Sequence, residues 1–168
     1  GLMYATYTSL LGFKPDSDEW KVMAMSAYDI DCTNYIKKIK STYSLKKNGI
    51  LELNQKYYFN FFQEGVNNHL YTNELLKLFK RNSTSYKPLQ NKEDFKIAKA
   101  LQICAEEIVV HFLNHLFKIT KCKNVVLGGG FFMNSVFNGK IEDKTKFKKS
   151  YISFAPTDTG NSIGSALY

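Results

Sequence analysis

From Lys92 to Lys118 the apolar residues Phe95, Ala98, Leu101, Ile103, Ala105, Ile108, Val109, Phe112, Leu113 and Leu116 recur mostly at steps of three and four. That spacing predicts a long helix lying against a sheet. The period then collapses. Val125, Val126 and Leu127 form a short β-branched run, the pattern of a buried strand, and Tyr151 to Phe154 form a second one near the chain end.

Earlier segments are shorter. Leu2 to Phe13 predicts a helix stopped by Gly12, Pro15 to Asp18 a polar loop, and Glu19 to Tyr28 a helix with Trp20 and its methionines on a buried face. Tyr35 to Leu45 predicts a helix carrying Ile36, Ile39 and Tyr43, and Lys46-Lys-Asn-Gly49 is a turn signal. Ile50–Leu53 and Tyr57–Phe62 predict a two-stranded ribbon, and Leu70–Phe79 an amphipathic helix with cations at its C-terminal end. Asp29 and Asp31 read as a surface turn.

The two C-terminal strands carry the candidate chemistry. Gly128, Gly129 and Gly130 follow the first, and Asn134 stands where it can cap a helix. Pro156, Asp158, Gly160 and Gly164 follow the second, leading into a short helix from Ser162 to Leu167. Residues without Cβ let the backbone turn sharply, pack closely or admit a ligand to the peptide N–H groups, and a following helix N-terminus favours an anion. Two such loops at neighbouring strand ends would face one crevice.

Composition narrows the field. The chain has 168 residues, 44% hydrophobic and 15% aromatic, enough for a real core. Its net charge is +8, yet Arg81 is the one arginine among 23 basic residues, and the lysines are scattered. Nucleic-acid recognition leans on the guanidinium fork, so a solvated lysine-rich surface is expected and nucleic acid is not. The aromatics from Tyr57 to Phe62 are read as packing residues rather than base-stacking ones. Three widely spaced cysteines fit reduced thiols in the cytoplasm, and no apolar run of about 18 residues suggests a membrane span. The chain opens at Gly1 inside a predicted helix, as a section of a longer protein would.

The same residues resemble a family. Gly128-Gly-Gly-Phe-Phe-Met-Asn134, then Asn138-Gly-Lys140, then Pro156-Thr-Asp-Thr-Gly-Asn-Ser-Ile-Gly-Ser-Ala-Leu167 are similar to the glycine-rich blocks of nodulation-protein and antibiotic O-carbamoyltransferases. Gly1-Leu-Met-Tyr4, Thr8, Leu11-Gly-Phe13, Glu19-x-Lys-Val-Met23 and Ala27-Tyr28 resemble an earlier block of that family. The stretch from Ile36 to Lys92 carries least of the resemblance.

The resemblance implies an α-rich α/β fold, the second lobe of an actin-like, RNase H-like, sugar-kinase-type ATPase. A first lobe and a YrdC-like domain would come from elsewhere in the same protein. It implies that carbamoyl phosphate and ATP yield carbamoyladenylate, whose carbamoyl group passes to a hydroxyl of a sugar or other small acceptor. A divalent metal of the iron, manganese or magnesium type would be held by an upstream His-x-x-x-His pair and by Asp158. Asp158 can also be read as a helix cap or a brace for the Pro156 turn. Gly128, Gly129, Gly130 and Asn134 would line the adenylate, with Gly160 and Asn161 beside it, and Lys21 matches a position lining the adenosine pocket. Thr157 and Asn161 stand where the family has glycine. A non-catalytic nucleotide-binding lobe of the same fold is the alternative.

His111 and His115, four apart on the long helix, share one face, the spacing of two metal ligands. Phe112 follows the first where a zinc protease has glutamate, and no third ligand is evident nearby, so a structural role is the expectation.

Overall fold

The computed structural model describes residues 1–59, 69–82 and 87–167. The chain divides into two units, Leu2–Ile108 and Val109–Tyr168 with Gly1.

In the first unit, α1 (Leu2–Leu10) is buried from Met3 to Leu10. Its threonines do not orphan their hydroxyls: Thr6 and Thr8 donate back to the carbonyls of Leu2 and Tyr4 at 2.9 and 3.0 Å. Gly12 ends the segment at φ +82°, and a Cβ there would lie 2.8 Å from the Lys87 carbonyl oxygen. α2 (Glu19–Met25) buries Val22 and Met25. Trp20 corrects the expectation: it lies two positions from Val22, hence off that stripe, and is 62% exposed.

α3 (Thr33–Lys40) begins beside Asp31, whose Oδ1 accepts from the Thr33 N–H and hydroxyl at 3.1 and 2.7 Å. Asp29 pairs with Lys99 at 3.2 Å, so the two aspartates have separate structural partners. α3 stops five residues short of the predicted Leu45, because the Ser41 and Thr42 hydroxyls take the carbonyls of Lys38 and Ile39, both at 2.7 Å. Tyr43–Leu45 is instead β1, paired antiparallel with β2 (Leu51–Leu53) across the predicted Lys46–Gly49 turn. Of the expected ribbon, Ile50–Leu53 is therefore a strand, but among the described residues its partner is Tyr43–Leu45 rather than Tyr57–Phe62. Tyr58 makes one bridge, to Tyr71, while residues 60–62 lie outside the described residues.

α4 (Asn73–Phe79) is capped by the Thr72 hydroxyl, which accepts from the Leu75 N–H at 3.4 Å. α5 (Lys92–Thr120) realises the long predicted helix. Asn91 Oδ1 accepts from the N–H groups of Glu93 and Asp94, both at 3.0 Å, and Asp94 accepts in return from Asn91 N–H at 3.3 Å, a reciprocal cap. Ile103 and Phe112 are exposed, at 38% and 52%, against the predicted burial. The buried positions Ile97, Ala98, Ala100, Leu101, Cys104 and Ala105 define a stripe that excludes Ile103.

Two sets of buried polar groups in this unit are linked in chains. Tyr4 donates to Gln102 at 3.0 Å, and Gln102 to Glu106 at 3.0 Å. The Tyr7, Thr42 and Tyr58 hydroxyls follow one another at 3.4 and 2.7 Å. Burial pushes the Tyr58 hydroxyl up to about 12 and the Cys104 thiol up to about 11. All three cysteines are free thiols, Cys32 and Cys104 buried and Cys122 exposed.

In the second unit, β3 (Asn124–Leu127) pairs in parallel with β4 (Lys149–Ile152), Val125 opposite Ser150 and Leu127 opposite Ile152. β4 starts two residues before the predicted Tyr151. Between them run a 3-10 turn (Gly130–Met133), α6 (Ser135–Asn138) and α7 (Ile141–Lys144). Leu113, Val125, Leu127, Phe137, Ile141 and Phe147 form the core of this unit. A second 3-10 turn (Asp158–Gly160) and α8 (Asn161–Leu167) follow β4.

Candidate functional site

Parallel pairing makes β3 and β4 end on the same side, so the loops after Leu127 and Ile152 emerge next to each other. One hydrogen bond ties them: the Gly129 N–H donates to the Pro156 carbonyl at 2.6 Å. Gly128–Gly130 and the Pro156–Gly160 turn, singled out separately in the sequence, thus form one feature.

The glycines in it have different physical reasons. Gly129 sits at φ +107°, a conformation that side-chain-bearing residues rarely adopt. At Gly128 a Cβ would meet only the Pro156 carbonyl at 3.9 Å, and at Gly130 nothing within 4 Å. Close packing therefore does not require glycine at 128 or 130, and the space beside their backbone is open. At Gly160 the reverse holds, since a Cβ would lie 2.2 Å from the Ala155 carbonyl oxygen. Gly160→Ala should therefore force the Asp158 turn to shift and lower stability by about 1–3 kcal/mol, read in urea unfolding. An unchanged midpoint would mean that the turn relaxes freely.

Asn134 is 8% exposed, and its Oδ1 accepts from the Phe137 N–H at 3.1 Å, which is the capping role anticipated for it. The helix it caps has four residues, preceded by a four-residue 3-10 turn. So short a helix has little macrodipole, and attraction for an anion falls to individual N–H groups of the loop rather than to a helix end. Asp158 is exposed, and its carboxylate has no hydrogen-bond or ion-pair partner among the described residues. It does not cap the turn it opens, so the structural reading of this side chain finds no contact. Asn161 is exposed at the start of α8, while Thr157 and Thr159 join hydroxyls at 2.7 Å.

Lys21 belongs to the other unit. Its Nζ lies 2.8 Å from Asp18 Oδ1 and 5.5 Å from the centre of the Trp20 ring. The ammonium hydrogen bond holds the Asp18 carboxyl below its ordinary range. No group of three or more His, Cys, Asp or Glu side chains fit to hold a metal occurs among the described residues, around His111 and His115 included.

A family model described as Carbamoyltransferase N-terminus matches residues 1–167. The chain belongs to the carbamoyltransferase family. An uncharacterized protein of Synechocystis is 32% identical to this chain over 168 residues, covering 99% of the chain and 26% of the relative. Two uncharacterized proteins of Methanocaldococcus jannaschii are 27% and 32% identical, each match covering 99% of the chain and 25% and 29% of the relative. The chain thus spans about a quarter of the length of these relatives. Among the described residues no helix is long and apolar enough to cross a membrane.

No signal in the sequence separated Gly160, constrained by its neighbour's carbonyl, from Gly130, which is unconstrained. The Gly129 to Pro156 bond was equally invisible, because it joins loops 27 residues apart through backbone atoms alone.

Proposed function

We propose that this chain is a section of an ATP-dependent O-carbamoyltransferase of the nodulation-protein and antibiotic type, built as the second lobe of an actin-like ATPase fold. Carbamoyl phosphate would be cleaved by water to carbamate and phosphate, the carbamate oxygen would displace pyrophosphate from the α-phosphate of ATP to give carbamoyladenylate, and an acceptor hydroxyl would attack its carbonyl carbon with AMP leaving and the hydroxyl proton lost. The observation that carries this reading is the Asp158 carboxylate, without a partner among the described residues, on the turn that is tied through Pro156 to the loop where the space beside Gly128 and Gly130 is open. Open space beside glycine backbone admits a phosphate, and a free carboxylate at a strand end suits a cation that touches it.

Asp158 would supply one ligand to a divalent metal of the iron, manganese or magnesium type, and the remaining ligands would come from outside the described residues. Such a cation, when bound, stabilises negative charge on phosphate. The chain's own residues position. Gly128 and Gly130 admit the nucleotide, Asn134 holds the loop through its cap, and Gly160 and Asn161 shape the turn beside Asp158. No covalent nucleophile is needed, because the mixed anhydride is itself activated. The acceptor is a sugar or other hydroxyl-bearing small molecule, and the rest of the same polypeptide, including a first lobe and a YrdC-like domain, completes the site in the cytoplasm.

Amide NMR of the protein titrated with ATP and then manganese tests this. Selective paramagnetic broadening is expected at Gly128–Gly130, Asn134 and Asp158–Gly160. Broadening confined to His111 and His115 would move the metal to α5, and uniformly sharp lines at saturating ATP would overturn the site.

A further inference from the structure

The lysines of the second unit are scattered in sequence and gathered in space. Lys118 stands in the last turn of α5, Lys121 follows it, Lys123 precedes β3, Lys146 and Lys148 precede β4, and Lys149 opens it. Two contacts draw these segments together. The Lys123 carbonyl accepts from the N–H groups of Lys148 and Lys149 at 2.7 and 3.3 Å, and the Phe117 and Phe147 rings meet edge to face at 5.5 Å. Each of the six lysines is one of these contacting residues or stands within two positions of one. All six are exposed, and Ile119, 67% exposed, lies among them.

A surface that serves solubility alone mixes both signs, and the first unit does so: Lys21, Lys40, Lys46, Lys56, Lys77, Lys96 and Lys99 each take a carboxylate. None of the six has an ion-pair partner among the described residues. From Val109 to Tyr168 eight lysines stand against three carboxylates, and one of those, Glu142, is engaged at β4, where it accepts from the Ser150 N–H and hydroxyl at 2.8 and 3.1 Å. Lys118 suits the C-terminal end of α5, but the other five lie beyond that helix. Like charges side by side at neighbouring strand starts repel, and exposed side chains contribute no packing that offsets the repulsion.

We propose that this end of the second unit is a reversible docking surface for an anionic phospholipid membrane. Three observations favour lipid over nucleic acid. Every cation in the array is an ammonium, a point charge suited to headgroup phosphate, and none is the guanidinium fork that reads bases. The array spreads over three segments, as an extended charged plane requires. An exposed isoleucine sits among the lysines, where it can enter the boundary between headgroups and acyl chains. The proposal is independent of ATP, metal and carbamoyl transfer.

Co-sedimentation of the complete protein with phosphatidylcholine vesicles, with and without phosphatidylglycerol, tests it. Binding is expected only with phosphatidylglycerol, falling as salt rises. K121Q/K123Q/K148Q should weaken it by on the order of a hundredfold at an unchanged melting temperature. Ile119→Ser should weaken it roughly tenfold while leaving the salt dependence as it was. Failure to bind phosphatidylglycerol vesicles at low salt would overturn the proposal, and so would wild-type binding by the triple variant, which would place the membrane contact elsewhere. Tighter binding to duplex DNA than to the anionic vesicles at equal salt would overturn it in favour of nucleic acid.

Discussion

If the proposed function holds, Asp158→Ala in the complete protein is expected to lower carbamoyl transfer by about a hundred- to a thousandfold, the usual effect of removing one group that stabilises charge in a transition state. Folding is expected to survive the change. The Asp158 carboxylate is exposed and has no partner among the described residues, so its loss leaves nothing buried and unpaired. Asp158→Asn separates charge from shape: it keeps the size and one oxygen, and activity should stay low if the carboxylate binds a cation. Carbamoyl transfer at the wild-type rate in Asp158→Ala would remove this residue from the chemistry and favour the non-catalytic nucleotide-binding reading. A fall in melting temperature matching the fall in activity would make Asp158 a structural residue.

Arg81→Met costs about 3–5 kcal/mol of stability, the penalty for leaving a buried charge without its partner. Arg81 donates to Asp94 across a pair whose side chains are 11% and 1% exposed. The remaining Asp94 oxygen accepts from the Asn91 N–H at the start of α5, so the carboxylate both caps that helix and holds the arginine. Removing the cation strands a carboxylate that water cannot reach. Replacing the pair together, Arg81→Met with Asp94→Leu, should recover part of the loss, because neither charge is then buried alone, while the lost cap keeps recovery incomplete. Denaturant unfolding of the two variants measures the difference. A cost below about 1 kcal/mol for Arg81→Met would put the pair among solvated surface bridges and sink the argument.

The parts of this fold readable from sequence were those with a long or unambiguous period. α5 carries enough apolar residues at steps of three and four for its existence and start to be plain, and Val125–Leu127 announced β3 by its β-branching. Short elements failed where one hydroxyl outweighed the period. Tyr43 continues the spacing of Ile36 and Ile39, yet Ser41 and Thr42 capture the carbonyls that a longer helix needed. Trp20 was misplaced because large apolar residues are presumed inside, whereas a seven-residue helix exposes most of its surface and buries one stripe. In the candidate site the residue types and their order were legible, and parallel pairing brings both loops to one side. Which glycine is strained, which is clamped and which is open depends on distances to atoms far along the chain, and sequence carries no record of those.

Arg81, the single guanidinium, is spent inside the fold on Asp94. Every other fixed cation on a side chain is therefore a primary amine. A reagent that acylates amines would turn a basic protein acidic while leaving the buried Arg81–Asp94 pair chemically untouched, since a guanidinium does not react as an amine does. Surface cations and the internal cation in this chain are thus written in two different functional groups, and the first can be altered without reacting with the second.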